Sequence, residues 1–189
     1  VKKEMPVDLT PQGMQGFLYN TRKPLFQDIK VRQALAYAFD FDWSNRALFH
    51  NAYTRTTSYF ANSELAATGL PTANELALLN PYRKQLPASV FSGVYQPPKT
   101  DGSGNNRANL MAAQKLLASA GWTVQNGKLT NSKKEVFSFE MLLAQPEFER
   151  IVQPFKQNLA RLGIDMNIRV VDIPQYINRQ RSFDFDMVV

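Results

Sequence analysis

Cysteine is missing from the 189 residues, and histidine occurs once, at His50. The first absence excludes disulfides, thiolate metal sites and thiol nucleophiles together. The second removes zinc catalysis, because a single imidazole cannot supply the several nitrogen or sulfur ligands such a site needs. A Ser-His-Asp arrangement would have to use His50 as its base, and no nucleophile-elbow motif lies near it. His50 sits in LFHNAY at the end of an expected helix and reads as structural. No apolar run approaches the roughly 20 residues that cross a bilayer. VKKEMPVD at the start has no secretion-signal stretch, so any signal is expected to have been removed or to lie outside this sequence. Internal repeats and low-complexity tracts are not found.

What is present is a chain with 44% apolar content and a formal charge of +6. That is ample material for a buried core. The charge invites a nucleic-acid reading, which is kept as the alternative function: a basic nucleic-acid-binding domain. The Lys and Arg residues are spread along the chain, however, and cluster only as short pairs such as Lys2-Lys3, Arg22-Lys23, Arg83-Lys84 and Lys133-Lys134. Such spacing describes a solvated surface better than a phosphate footprint.

Periodicity predicts an α/β chain. GFLYNT reads as a strand. Asp28 can cap a helix with Ile29, Val31, Leu35, Ala38 and Phe39 on one stripe, and Asp42 can cap a second through Trp43, Ala47 and Leu48. From Asn51 to Pro98 the chain reads as a long, mostly irregular excursion, with a short helix near Ala73–Leu79 capped by Thr72. A helix over about Arg107–Ala120 stops at Gly121. Asn126-Gly127 joins two short β-prone runs as a hairpin. Phe137–Leu143 alternates as a strand, Pro146 opens a helix with Phe148, Ile151, Val152, Phe155, Leu159 and Leu162 on one face, and Ile164–Val170 alternates again. Strand, helix, strand predicts a parallel βαβ unit. Pro174–Arg181 is expected as a helix and Phe183–Val189 as a strand.

Candidate chemistry is sparse. Asp101, Ser103 and Asn105 imitate the start of a calcium loop, but Asn106 stands where glycine is needed and Ala112 where a bidentate Glu is needed. The glycines of DGSG match no phosphate-cradling pattern. The carboxylate pairs Asp40/Asp42, Glu147/Glu149 and Asp184/Asp186 are sequence neighbours, and helix capping explains the first two. Tyr53, Tyr59, Phe60 and Tyr95 lie among polar loop residues, where aromatics either pack or line a cleft.

Four segments in order, FLYNTRKPLFQDIKVRQALAYAFD, LMAAQKLLASAGW, FEMLLAQPEFERIVQPFKQNLARLGIDMNIRVVD and QYINRQRSFDFDM, resemble the extracellular solute-binding proteins of family 5. These are the peptide- and nickel-binding receptors of ABC importers. AFDFDWSNRALFHNAYTRTTSYFANSELAATGLP and DGSGNNR resemble the Yej-type branch, linked to oligopeptide and microcin C uptake. The resemblance implies a mixed sheet with packed helices, the C-terminal lobe of a type II periplasmic-binding-protein-like fold. It makes residues 1–189 a single domain, the second lobe of a two-lobe protein whose first lobe and C-terminal end lie outside this sequence.

It also implies a periplasmic, monomeric, non-enzymatic receptor with no cofactor, no metal and no nucleic-acid partner, which binds oligopeptides and delivers them to membrane permease subunits. Gln145 and Glu147 resemble a ligand-facing loop, although helix capping accounts equally for Glu147. Arg179 matches an arginine ahead of the FDFDM strand and is expected to meet a carboxylate or peptide carbonyl. Tyr53, Tyr59 and Phe60 are expected as apolar walls. The family's acidic residue for the ligand's amino terminus would lie beyond Val189.

Overall fold

The computed structural model describes residues 10–11 and 13–189. The Lys2-Lys3 pair lies outside them. In chain order the elements begin with β1 (Leu18–Tyr19), α1 (Ile29–Ala38), α2 (Phe41–Phe49), α3 (Ala73–Leu79), α4 (Ser89–Ser92) and α5 (Arg107–Ser119). They continue with β2 (Thr123–Gln125), β3 (Lys128–Thr130), β4 (Ser138–Leu143), α6 (Glu149–Arg161), β5 (Asp165–Val170), α7 (Ile173–Arg181) and β6 (Met187–Val188). Contacts divide the chain into two units: residues 16–54 with 98–189, and residues 55–97 with the described part of 1–15.

The larger unit is built on a mixed four-stranded sheet in the order β1-β6-β4-β5. β4 runs parallel to β5 with Ser138 opposite Asp165, and parallel to β6 with Met141 opposite Met187, while β1 is antiparallel to β6. The expected βαβ unit is therefore present as β4-α6-β5. Alternation on β4 sends Phe139, Met141 and Leu143 into the core, where they meet Val31, Ala34 and Leu35 of α1 and Val152, Phe155 and Leu159 of α6. Each fully buried Val, Leu, Phe or Met side chain among these contributes about 1.5–3 kcal/mol. Rings run through this core from Trp122 to Phe137, Phe139, Phe26 and Tyr19, with successive centroids 4.7 to 6.2 Å apart.

Helix α1 is fixed at both ends by polar side chains. Asp28 accepts from the Lys30 N–H at 2.8 Å, and Arg32 Nη1 donates back to the carbonyls of Phe26 and Gln27. At the other end, Asn158 Nδ2 donates to the Ala38 carbonyl at 2.9 Å and Asn106 Nδ2 to that of Tyr37 at 3.0 Å. Both amides are buried, so these two carbonyls at the end of the helix are satisfied without water. The cap of α2 corrects the sequence reading. Asp40 accepts from the Trp43 N–H, while Asp42 lies inside the first turn and its carboxylate accepts the Thr100 N–H at 2.7 Å.

Two expected strands are shorter than their composition suggested. GFLYNT forms ladder only at Leu18–Tyr19, because Asn20 turns into side-chain bonding: its Nδ2 donates to the carbonyls of Phe183 and Phe185. The segment after Phe183 pairs only at Met187–Val188, since Phe183 has φ +57° and Asp184 is bonded back to Arg179. Pro154 lies inside α6, which the sequence reading did not remark.

The β2-β3 hairpin turns at Asn126 and Gly127, with φ +50° and +77°, as a two-residue primed turn demands. Lys134 also sits in the left-handed region, at φ +64° in an exposed turn. Lys134→Gly is expected to stabilise the unit by about 0.5–1 kcal/mol by removing the Cβ penalty; a denaturant titration showing no gain would contradict the conformation given for this turn.

In the smaller unit, Thr72 and Glu75 form a reciprocal capping box at the start of α3. The Thr72 N–H, and then its hydroxyl, hold the Glu75 carboxyl below its ordinary range. A folded-state value below the unfolded one means that this contribution is present above the ordinary carboxylate range and is lost as pH falls through the folded value. Protection of the α3 amides against exchange should accordingly fall on acidification, and Glu75→Gln should abolish that pH dependence.

Candidate functional site

Parallel strands share a direction, so the chain leaves β4 and β5 on one edge of the sheet, the edge where open α/β sheets hold ligands. From β4 the backbone passes through Ala144 and Gln145 into a 3-10 turn, Pro146–Phe148, and then into α6. Pro146 occupies the first position of the turn, where its missing N–H costs nothing. Gln145 and Glu147 are both exposed on this edge. No side chain caps either the turn or α6, so neither residue is used up as a cap.

Tyr53 reaches the same edge from α2. His50 and Asn51 both take left-handed φ, +53° and +60°, and reverse the chain after the helix. Asn45 then clamps the returning backbone at two points: its Nδ2 donates to the Tyr53 carbonyl at 2.6 Å and its Oδ1 accepts the Tyr53 N–H at 3.1 Å. The Tyr53 ring, 60% exposed, meets Phe49 edge-on at 5.0 Å. The Arg150 guanidinium, on the first turn of α6, lies 6.0 Å from the Phe49 ring centre. Phe49 and Arg150 thus connect Tyr53 to the turn that carries Gln145 and Glu147. Neither residue was singled out from the sequence.

Arg179 stands elsewhere. Its Nη2 is 2.9 Å from Glu140 Oε1, and its Nε donates to the Asp184 carbonyl at 2.9 Å and carboxylate at 3.0 Å. The Glu140 contact joins opposite charges without hydrogen-bond alignment, whereas Arg169 Nε donates properly to the other Glu140 oxygen at 2.8 Å. Glu140 lies five residues before Gln145, about 16 Å along an extended chain. The structure therefore groups Gln145, Glu147 and Tyr53 and leaves Arg179 within an ion-pair network further down the sheet. Tyr59 and Phe60 belong to the smaller unit, 77% and 56% exposed.

Around the other candidate residues the polar groups are turned to local structure. The Asp101 carboxylate accepts both the N–H and the hydroxyl of Ser103, and these bonds hold it below its ordinary range. His50 forms the left-handed C-cap of α2. Two surface hollows, of about 320 Å³ beside Arg22 and Phe183 and about 230 Å³ between Arg107 and Arg161, are lined by none of Gln145, Glu147, Arg179 or Tyr53. The carboxyl edge is thus an open surface that could hold a ligand from one side. No helix among the described residues is long and apolar enough to cross a membrane.

Comparison with known proteins gives a consistent result. The model for "Bacterial extracellular solute-binding proteins, family 5 Middle" matches residues 2–189. YejA of Escherichia coli strain K12 is 47% identical over 178 residues, 94% of this chain and 30% of that protein. The probable peptide-binding protein YejA of Agrobacterium fabrum is 40% identical over 190 residues, covering all of this chain and 31% of its own length. The chain therefore spans less than a third of these relatives. Among solved structures, the oligopeptide-binding protein AppA of Bacillus subtilis in complex with a nonapeptide superposes with a TM-score of 0.67 at 20% identity, over 92% of this chain and 29% of AppA. At that identity the likeness concerns the fold: α/β, with a mixed sheet and packed helices.

Proposed function

The chain belongs to the bacterial extracellular solute-binding proteins of family 5, and from that premise we propose that it is one lobe of a periplasmic receptor that captures oligopeptides for an ABC importer. The observation that carries this reading is a single family model running through residues 2–189. The relative named as peptide-binding and the nonapeptide complex of AppA support the ligand class. The family and the fold are those of solute-binding proteins, which are not enzymes.

In this reading residues 1–189 form a single domain, the second of two lobes, in a receptor that acts as a monomer. A peptide lies against the carboxyl edge, with Gln145 and Glu147 offering an amide and a carboxylate to its main chain and Tyr53 an apolar wall. On the smaller unit, Tyr59 and Phe60 offer apolar walls of their own to ligand side chains. A ligand carboxylate reaches Arg179 by displacing Asp184, whose side chain is 68% exposed. A single open edge covers only part of a peptide, whereas binding sites enclose most of the ligand surface. The opposing lobe closes over it in a hinge motion, and the closed form is what the permease engages. The ligand range includes peptide nucleotides of the microcin C type.

Isothermal titration of the full-length receptor with a peptide mixture tests this. Binding by the full-length protein, and little or none by residues 1–189 alone, is the expected result. Failure of both to bind any peptide would remove the proposed function.

A further inference from the structure

Two arginines without carboxylate partners share one hollow at the far end of α6 from Gln145 and Glu147. The helix leaves the carboxyl edge and returns to the start of β5, so its last residue, Arg161, lies about 18 Å along the axis from Glu149. Arg107 opens α5, and a hollow of about 230 Å³ is lined by both residues. Among the described residues neither guanidinium forms an ion pair, and no acidic residue lines the hollow. Arg161 Nη1 reaches the Asn158 side-chain oxygen only at 3.4 Å, which leaves most of its donors available. Like charges held at one hollow repel each other, and the first turn of α5 has no acidic residue to offset them. The rest of the rim adds donors and an apolar wall. The Asn105 oxygen accepts the Arg107 N–H at 3.4 Å, so what Asn105 still offers is its NH2 group, and Gln114 brings a second amide. Leu110, Met111 and the buried Leu162 supply the apolar side.

We propose that the hollow between Arg107 and Arg161 is a phosphate-binding site, filled by free phosphate or by the phosphate of an organic ester such as a lipid headgroup. The choice of anion follows from the donors. A carboxylate has two oxygens in one plane and is satisfied by a single guanidinium fork, whereas a phosphate has three or four oxygens and serves two forks that come from different helices. Its charge, near −2 for a monoester at neutral pH, matches two arginines. The apolar side made by Leu110, Met111 and Leu162 suits the organic part of an ester. The site lies away from the edge assigned to the peptide and does not depend on the peptide-receptor reading.

The test is calorimetric titration of the full-length receptor with sodium phosphate and with glycerol 1-phosphate, at an ionic strength held constant with chloride, together with flotation on vesicles of phosphatidylglycerol or of phosphatidylcholine. Saturable binding of a soluble probe without flotation identifies a free phosphate compound as the source; flotation with phosphatidylglycerol identifies a headgroup. Arg107→Gln and Arg161→Gln should each weaken the binding seen about tenfold, and the double variant should lose it. Arg107→Lys and Arg161→Lys should keep part of it, since they retain charge without the fork. All four positions are exposed replacements, so the variants should melt with the unchanged protein and bind peptide as it does. Absence of binding to both soluble probes and to phosphatidylglycerol vesicles overturns the site, as does binding that survives in the double variant. Either result leaves the peptide reading standing, because peptide titration is read separately.

Discussion

Gly163→Ala should cost the larger unit about 3–4 kcal/mol, the largest effect expected of any single-methyl addition in this chain. Gly163 ends α6 at φ +79°, with the Ile164 N–H returning to the Leu159 carbonyl at 3.0 Å. The left-handed conformation alone penalises alanine by about 1–2 kcal/mol. Space is the larger problem. A Cβ would stand 2.7 Å from the Leu129 backbone nitrogen and 3.1 Å from the Lys128 carbonyl carbon. That backbone cannot yield, because the Leu129 N–H donates to the Gly163 carbonyl at 2.8 Å and Leu129 is itself buried. Gly121 offers the matching control: φ is +86°, yet nothing lies within 4 Å of its added Cβ. Gly121→Ala should therefore cost only the conformational part, about 1 kcal/mol. Urea titrations followed by circular dichroism measure both. Equal losses at the two positions would show that the β3 contact does not matter.

Asn20→Ala is expected to cost about 3 kcal/mol, the second large effect. Asn20 is 3% exposed, donates to the carbonyls of Phe183 and Phe185 at 2.9 and 2.8 Å, and accepts the Arg22 N–H at 3.2 Å. Its backbone N–H also reaches Asp186 at 2.9 Å. Removing the amide leaves two carbonyls without a donor and releases Phe183 from a left-handed conformation that its surroundings must enforce. The stacking of Arg22 on the Phe183 ring, 3.4 Å from its centre, depends on the same arrangement. Asn20→Asp should be worse than alanine, since it points a carboxylate at two carbonyl oxygens. Thermal melts that put both variants within 0.5 kcal/mol of the unchanged protein would refute this account.

The elements legible in the sequence are those whose information is local. The α5 periodicity, the Asn126-Gly127 turn and the Thr72 cap are each local, and β4, α6 and β5 are three such local patterns in direct succession; each is found in the structure. What was misplaced or missed depends on distant partners. Asp42 has the residue type of a cap, but Thr100 claims its carboxylate from 58 positions away. GFLYNT has strand composition, but Asn20 is diverted to Phe183 and Phe185. Of the candidate site, Gln145 and Glu147 were singled out through the family resemblance, which implies a ligand-facing loop after this strand. Arg150, three residues further on, was not singled out. The available signal was its position in the first turn of α6; its neighbour Phe49 is visible only in three dimensions. Arg179 was recognised by resemblance alone, and its bonds to Glu140 and Asp184 have no sequence signature.

The pairing of Leu18 with Val188 has a consequence for biogenesis. β1 is made long before β6, the strand that receives it. The residues from Leu18 to Val188 must all be available before this pairing can form, and such long-range closure is slow. During that interval the segment around Phe17 and Tyr19 is exposed and can associate wrongly. A polypeptide of this design is slow to commit to its final shape, a property compatible with threading through a translocation pore before it folds.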